Sequence, residues 1–210
     1  METRYYQRKL PHLQPAEVTF FITFRLKDSV PLDDVRRIQE NLNRFEKGLL
    51  SWIDLTPKEK YEIDLATHEK WFMFNDHLLE TNPNGPFWLK ETEVADIVAE
   101  AIQFRAGKQY ELHGYTIMPN HVHMLVTLLP GVPVLHKVMQ HLKRVSGKRC
   151  NEILHRTGLA FWEEESYDRI VRDEKEFFNI LNYILRNPVK AKLAKSWKDW
   201  PYTYVQPELL

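Results

Sequence analysis

The stretch Tyr115-Thr-Ile-Met-Pro-Asn-His-Val-His-Met-Leu-Val-Thr127 decides the fold of this chain. It lies where two strand-like runs meet, one from Tyr110 to Met118 and the other from His121 to Leu129. Proline and asparagine are turn formers, and Pro119-Asn120 stands between the two runs. The sequence therefore predicts a β-hairpin in this part of the chain.

The second strand of this hairpin has two chemically different faces. Successive side chains of a strand point to opposite sides, so Val122, Met124 and Val126 are expected to face a hydrophobic core. His121 and His123 then project from the opposite face, where both imidazoles can reach one cation. A lone His-x-His is also found as two solvated histidines, so the other residues must decide between these readings.

Helix and strand signals surround the hairpin in a regular order. The pattern predicts a strand over 18–26, helices over 31–47 and from 56 onward, a helix over 94–102, a helix after 133, a strand over 166–172 and a helix over 174–187 that Pro188 ends. Strand, helix, hairpin, helix, strand and helix make the βαββαβ pattern of a ferredoxin-like antiparallel sheet. We therefore predict an α+β fold in one domain over 1–210, with helices on one face of the sheet and a helical insertion at about 29–91 after the first strand.

Composition restricts the class of protein. The 210 residues are 43% hydrophobic, which is enough for a buried core, and they contain neither repeats nor a biased segment. The single cysteine, Cys150, excludes an internal disulfide and a cysteine-based zinc cluster. No run approaches the roughly 18 apolar residues of a membrane span, and the charged start is unlike a signal peptide. We expect a soluble cytoplasmic protein without a membrane partner.

Two segments are locally basic although the formal net charge is zero. Local patches govern phosphate binding more than the total charge does. The predicted helix after 133 offers candidate contacts to DNA phosphates, and an ordinary solvated helix face is the alternative: Lys137, Lys143, Arg144 and Lys148. The first residues offer cations beside an aromatic ring that can stack on an unpaired base, and a disordered tail is the alternative there: Arg4, Tyr5, Arg8 and Lys9.

Tyr183 is the candidate nucleophile. On a helical wheel it lies opposite the apolar face of its helix, and Asn187 follows it by one turn. A tyrosyl oxygen can attack a phosphodiester when a divalent cation neutralises the developing charge. Asn187 offers an amide oxygen as a third metal ligand beside the histidine pair, although a helix C-cap explains it equally well. Tyr167 is the rival nucleophile, with support of the sheet as its structural alternative.

Three motifs carry a family resemblance, namely Met118-Pro-Asn-His-Val-His-Met-Leu-Val126, Phe161-Trp-Glu163 with Tyr167-Asp-Arg-Ile-Val-Arg172, and Asn182-Tyr-Ile-Leu-Arg-Asn-Pro-Val-Lys-Ala191. Together they resemble the single-tyrosine HUH transposases, and specifically the REP-associated tyrosine transposases of bacteria. The likeness extends from Arg8-Lys-Leu-Pro11 to Trp200-Pro201.

The resemblance implies a function and a role for each site residue. His121 and His123 would bind Mg²⁺ or Mn²⁺, with Asn187 as a looser match to the third ligand, since related enzymes use glutamine there. Tyr183 would attack single-stranded DNA, giving a 5′-phosphotyrosine and a free 3′-OH. The DNA would be the hairpin of a repeated extragenic palindrome with a flanking single strand. The relatives favour a monomer, with a dimer as the alternative.

Two other classes of protein stay open at this point. A non-catalytic, hairpin-binding regulator derived from a transposase would need the basic segments without the site residues. A metallohydrolase of the amidohydrolase type also begins with His-x-His on a strand. That enzyme would need further histidines at strand ends, whereas the next ones in this chain fall in a predicted helix: His136, His141 and His155.

Overall fold

The computed structural model describes residues 4–7, 11–14, 18–31, individual residues between 33 and 48, and 56–210. The side chains of residues 4–14 and of most residues from 57 to 71 lie outside this description. The chain forms two compact units, one made of Met1–Lys27 with Phe87–Leu210, and the other of Asp28–Pro86. The first unit contains all seven described strands.

A five-stranded antiparallel sheet forms the centre of the first unit. A separate hairpin of β1 (Arg4–Gln7) and β2 (Pro11–Gln14) precedes it in the chain. The sheet has the spatial order β6-β3-β5-β4-β7. Its strands are β3 (Thr19–Arg25), β4 (Tyr110–Ile117), β5 (His121–Leu128), β6 (Tyr167–Ile170) and β7 (Thr203–Val205).

Four α-helices are bounded in the described residues. They are α1 (Pro57–Thr81), α2 (Thr92–Gln103), α3 (Leu135–Ile153) and α4 (Glu174–Lys190). Every described residue between 33 and 48 is also helical, in agreement with the helix predicted there. None of the helices that the structure describes is long and apolar enough to cross a membrane.

One face of the sheet carries the hydrophobic core. Phe20, Ile22 and Phe24 of β3 pack with the alternating apolar residues of β5, as the sequence predicts. The apolar sides of α2 and α3 cover this face, and each has a continuous buried stripe. The requirement to bury these alternating side chains fixes the strand register, because a slip of one residue would expose them. The histidine pair is thereby held on the opposite face.

Helix α4 packs on the opposite face, which we call the histidine face. Leu181 approaches β4 at Gly114, and Phe177 meets the ring of His113 at 5.0 Å between centroids. A Cβ at Gly114 would lie 2.9 Å from Leu181 Cδ1 and 3.1 Å from the carbonyl oxygen of Tyr204, so glycine allows this close approach. The expectation of helices on one face holds for α2 and α3, and α4 adds a layer on the other.

The second unit is a helical insertion after β3. Its long helix α1 ends at Thr81, where the Thr81 hydroxyl donates to the carbonyl of His77 at 2.7 Å. The following turn is tied back to the start of the unit by Asn82 Nδ2, which donates to the carbonyl of Ser29 at 3.0 Å. The α+β class with an antiparallel sheet and an insertion after its first strand is confirmed.

Three features differ from the prediction. The hairpin of β1 and β2 and the short strand β7 were not predicted. The last helix continues past Pro188 to Lys190, whereas we expected it to end before the proline. Pro188 removes only the bond that residue 188 would donate within the helix. Backbone hydrogen bonds continue after the proline. The amide of Ala191 donates to the carbonyl of Asn187, and the amide of Lys192 donates to the carbonyl of Val189, each at 3.0 Å.

Candidate active site

The imidazoles of His121 and His123 converge on the histidine face. Their Nε2 atoms lie 3.0 Å apart, and the rings meet edge to face with centroids separated by 4.6 Å. Both side chains are almost wholly buried. Adjacent ligand atoms around an octahedral ion with bonds of about 2.1 Å are about 3.0 Å apart, so this separation suits two ligands of one divalent cation.

A partner on the far side of each ring holds it in this orientation. His121 Nδ1 lies 2.7 Å from Asn120 Oδ1, and His123 Nδ1 lies 2.7 Å from the hydroxyl of Thr23. The asparagine oxygen accepts, so His121 carries its proton on Nδ1 and presents a lone pair at Nε2. The threonine hydroxyl can donate or accept, so either tautomer of His123 is accommodated. Such outer partners are typical of metal-binding histidines.

Sequence reasoning missed both of these partners. Asn120 was interpreted only as a turn former, and Thr23 only as a strand residue. The register explains their position, because Thr23 lies directly across from His123 and Asn120 precedes His121. The turn is also anchored from β3, since the amide of Leu26 donates to the carbonyl of Asn120 at 2.8 Å. No sequence signal identifies which strand pairs beside β5, so only the structure reveals Thr23.

The ring of Tyr183 lies beside the histidine pair. Its centroid is 5.3 Å from that of His123, and the two planes are inclined by 70°. Phe21 supports both rings, since it stacks on His123 at 5.7 Å and meets Tyr183 edge-on at 6.0 Å. The predicted nucleophile and the predicted metal ligands are therefore brought together within one chain.

The rival tyrosine, Tyr167, takes a different position. It lies on β6 directly across from Thr23, which in turn lies across from His123. Two strand spacings of about 4.8 Å separate the backbones of Tyr167 and His123. Tyr167 is 5% exposed and pairs within the sheet, as its structural alternative predicted. Tyr183 is better placed as a nucleophile, because its ring is in direct contact with that of His123.

Asn187 lies one turn after Tyr183 on α4 and is 1% exposed. Residues four apart share one side of a helix, so the amide lies on the same side as the tyrosine. Neither Oδ1 nor Nδ2 has a hydrogen-bond partner within the described part of the chain. An unpaired buried amide costs about 1–3 kcal/mol, and a cation at its oxygen would offset part of that cost. This observation fits the donor set of a third ligand.

A carboxylate anchors the start of α4. Glu176 accepts from the guanidinium of Arg169 and from the amide of Arg172, the latter at 2.8 Å. Burial alone would raise the pKa of Glu176, but the bonds from Arg172 and the charges of Arg169 and Arg172 outweigh it and lower that pKa. The helix is capped next to it, because Asp173 Oδ1 accepts from the amide of Glu176 at 2.7 Å. These bonds fix α4 relative to β6, two turns before Tyr183.

Seven of the eight predicted DNA-binding residues divide into three groups. Lys137, Arg144 and Lys148 are exposed on α3, on the side of the sheet opposite the histidine pair. Arg4 and Tyr5 lie in β1, where only the backbone is described. The remaining two N-terminal positions, Arg8 and Lys9, lie outside the described residues. The DNA contacts of all these residues stay predictions.

Lys143 is positioned differently from the other lysines of α3. Its Nζ donates to the carbonyls of Glu163 at 3.1 Å and Glu164 at 2.6 Å, and to the hydroxyl of Ser166 at 3.0 Å. Burial lowers the pKa of Lys143 to about 8, although nearby carboxylates oppose the shift. Its three donors thus tie α3 to the segment before β6, at a groove of about 530 Å³ that does not include the histidine pair. A phosphate could bind this lysine only in exchange for one of these bonds.

Part of the chain is similar in sequence to known transposases. A profile of the family described as "Transposase IS200 like" matches residues 88–187. The REP-associated tyrosine transposase of Escherichia coli K12 is 24% identical over 103 residues, which cover 49% of this chain and 58% of that protein. The predicted resemblance is confirmed. The four residues of the candidate site all lie inside the matched region: His121, His123, Tyr183 and Asn187.

A second bacterial protein and a solved structure are also similar to this chain. A protein of Haemophilus influenzae, named as a candidate member of that group, is 29% identical over 104 residues, covering 45% of this chain and 58% of its own length. The chain thus spans less than two thirds of the curated relatives that it matches. A solved structure of a REP-associated tyrosine transposase bound to a REP hairpin aligns with a TM-score of 0.49 and 16% identity, covering 94% of this chain and 80% of that chain.

Proposed function

We propose that this protein is a metal-dependent endonuclease and strand transferase that cuts single-stranded DNA at hairpin, REP-like elements. The observation that carries the proposal is the contact between the Tyr183 ring and a pair of imidazoles whose Nε2 atoms lie 3.0 Å apart. The names of the two bacterial relatives support REP elements as the substrate class.

The proposed reaction is a transesterification. The hydroxyl oxygen of Tyr183 forms a bond to phosphorus, the bond from phosphorus to the 3′ oxygen breaks, and the tyrosyl proton is lost as the 3′ oxygen gains one. The products are a 5′-phosphotyrosine and a free 3′-OH. Because the phosphodiester energy is retained in the new link, attack by a 3′-OH can reverse the step without a nucleotide cofactor.

His121, His123 and Asn187 are the proposed ligands of a divalent cation, Mg²⁺ or Mn²⁺. Bound there, such a cation would neutralise charge that develops on the attacked phosphate. The chain's own residues prepare this site, because Asn120 and Thr23 orient the imidazoles and Phe21 packs against the ring of Tyr183. Two imidazoles and an amide oxygen suit Mn²⁺ somewhat better than Mg²⁺, which prefers oxygen ligands.

The exposed cations of α3 are proposed to contact the phosphates of the hairpin. Lys137 and Arg144 have no acidic partner among the described residues, whereas Lys148 lies 4.0 Å from Glu152. Neutralised phosphates release counterions, so the affinity for hairpin DNA should fall with salt. Replacing Lys137 and Arg144 by glutamine should flatten this dependence in fluorescence anisotropy titrations.

A suicide-substrate assay tests the catalytic part of the proposal. A labelled oligonucleotide with a hairpin and a single-stranded flank is incubated with the protein and Mn²⁺, and covalent adducts are separated in denaturing gels. The wild type should form an adduct that mass spectrometry locates on Tyr183. Tyr183→Phe should form none, and Tyr167→Phe is the matched control that should retain it.

The same assay distinguishes the main alternative. A hairpin-binding regulator that has lost catalysis would shift the labelled hairpin in a native gel, yet would give no covalent product with either Mn²⁺ or Mg²⁺. Adduct formation that persists in Tyr183→Phe would also contradict the proposed nucleophile.

A further inference from the structure

Arg25 is a cationic residue on the histidine face of the sheet. It is the last residue of β3 and lies directly across from His121 in the antiparallel register. Directly opposed residues point to the same face, with Cβ atoms about 4.5–5.5 Å apart. The side chain of Arg25 therefore leaves the sheet on the same side as the proposed metal ligands, and its Cβ lies next to that of His121.

The side chain of Arg25 is held rather than free. It is 15% exposed, and its Nη2 lies 3.5 Å from Oε2 of Glu163. The backbones are tied as well, since the amide of Glu163 donates to the carbonyl of Arg25 at 2.9 Å. Lys27 approaches the same carboxylate at 3.2 Å, so Glu163 accepts from two cations.

The distance between Arg25 and Glu163 is longer than that of a strong ion pair. Charge-assisted hydrogen bonds between nitrogen and a carboxylate measure about 2.7–2.9 Å, against 3.5 Å here. Partial burial would raise the pKa of Glu163, but the charge of Arg25 and the bonds from Glu164 and Lys27 outweigh it and lower that pKa. Glu163 therefore stays ionised and orients Arg25.

We propose that Arg25 contacts the phosphate that Tyr183 attacks, as a further catalytic residue beside the metal ligands. The inference rests on the proposed function. A planar guanidinium presents two parallel donors that match two phosphate oxygens, and it stays charged at any working pH. Negative charge grows on the non-bridging oxygens as the tyrosyl oxygen bonds to phosphorus, so a fixed cation there stabilises the transition state. Glu163 is the positioning residue for this guanidinium.

The simpler account is that Arg25 only fastens the end of β3 to the neighbouring segment. Chemical rescue separates the two roles, because a free guanidinium ion can replace a missing catalytic group but cannot restore a lost structural bond. Rates of covalent adduct formation are measured in single turnover at saturating Mn²⁺ and hairpin oligonucleotide. Arg25→Ala should be about 100- to 1,000-fold slower than wild type, and millimolar guanidinium chloride should accelerate it saturably, whereas equal NaCl should not.

Lys27→Ala is the matched control. It removes the other cation bound to Glu163 but none that lies across from a histidine, so its rate should stay close to that of the wild type. Mn²⁺ affinity, measured by calorimetry, should also be retained in Arg25→Ala. Should Arg25→Ala fail to fold, Arg25→Lys keeps a cation for Glu163 without the two-donor fork and should still be markedly slower.

Three results would overturn the assignment. They are an Arg25→Ala rate equal to that of the wild type, a slow variant that guanidinium does not accelerate, and, where only Arg25→Lys folds, a wild-type rate in that variant. A wild-type protein that forms no adduct would instead contradict the proposed function itself.

Discussion

The hydroxyl of Thr23 lies 2.7 Å from Nδ1 of His123, on the strand that pairs with β5. This contact fixes the orientation of one of the two imidazoles. It holds the ring so that Nε2 faces the other imidazole, and it lets the ring change tautomer when a cation takes the lone pair.

Replacing Thr23 by valine should therefore weaken metal binding while the sheet stays intact. Valine keeps the branched shape but cannot bond to His123, and the loss of such an outer partner costs about 10- to 100-fold in metal affinity. Calorimetric titration with Mn²⁺ gives the affinity. Thr127→Val is a suitable control, since Thr127 bonds to Thr19 at 2.7 Å on the same sheet without touching His123. Equal affinities in both variants would contradict the role of Thr23.

Gly114→Ala should displace α4 from the sheet. The added Cβ would meet Leu181 at 2.9 Å and the Tyr204 carbonyl at 3.1 Å, and overpacking of this kind costs about 1–3 kcal/mol. The free energy of unfolding in urea should fall by that amount. Adduct formation by Tyr183 should slow as well, because the same helix carries this proposed nucleophile. Gly131→Ala provides a contrast, since its positive φ gives strain without any neighbour within 4 Å.

Glu176→Gln should loosen the start of α4 in a pH-dependent way. The pKa of Glu176 is lowered in the folded protein, so its stabilising effect is complete above the unfolded-state pKa of about 4.3. That effect is lost as the pH falls through the folded-state pKa. The wild type should thus be more stable than the variant at neutral pH, by about 1–3 kcal/mol, and the difference should shrink on acidification. Urea unfolding of both proteins across this range measures it, and a constant difference would disprove the linkage.

Lys143 gives a dependence of the same sign, but at alkaline pH. Its pKa is lowered to about 8 in the folded state, whereas an unfolded lysine titrates near 10.4. Between these values the unfolded chain binds more protons, so this residue's contribution to stability rises with pH. Compared with Lys143→Met, the wild type should gain free energy of unfolding as the pH is raised above 8. Parallel urea titrations of both proteins on both sides of pH 8 test this. A difference in free energy of unfolding between wild type and variant that falls as the pH rises would refute it.

The sequence predicted the parts of the fold that follow from alternation and helical periodicity. Val122, Met124 and Val126 fixed which face of β5 is buried, and hence where the histidines project. The one-turn spacing of Tyr183 and Asn187 predicted that both lie on one side of their helix, and the structure places Tyr183 beside His123. These are local patterns, and a strand or a helix expresses them whatever its neighbours are.

Relations between distant segments could not be predicted in this way. The register of β3 against β5 places Thr23 and Arg25 across from the two histidines, and no periodicity within β3 reveals that register. Strand β7 has only three residues, too few for a pattern to be recognised. The helix continued through Pro188 because tertiary packing outweighs the loss of one backbone bond. Burial by other segments also turned Lys143 from a predicted phosphate contact into a link to the segment before β6.

Tyr183 and His123 meet inside one polypeptide, and this has a kinetic consequence for the proposed reaction. The proposed nucleophile and the proposed metal ligands need no encounter between two protein molecules. Strand cutting should therefore be first order in the protein–DNA complex, and its rate per molecule should not change on dilution. Mixing Tyr183→Phe with His123→Ala should accordingly restore no activity, since neither polypeptide can lend the other its missing group.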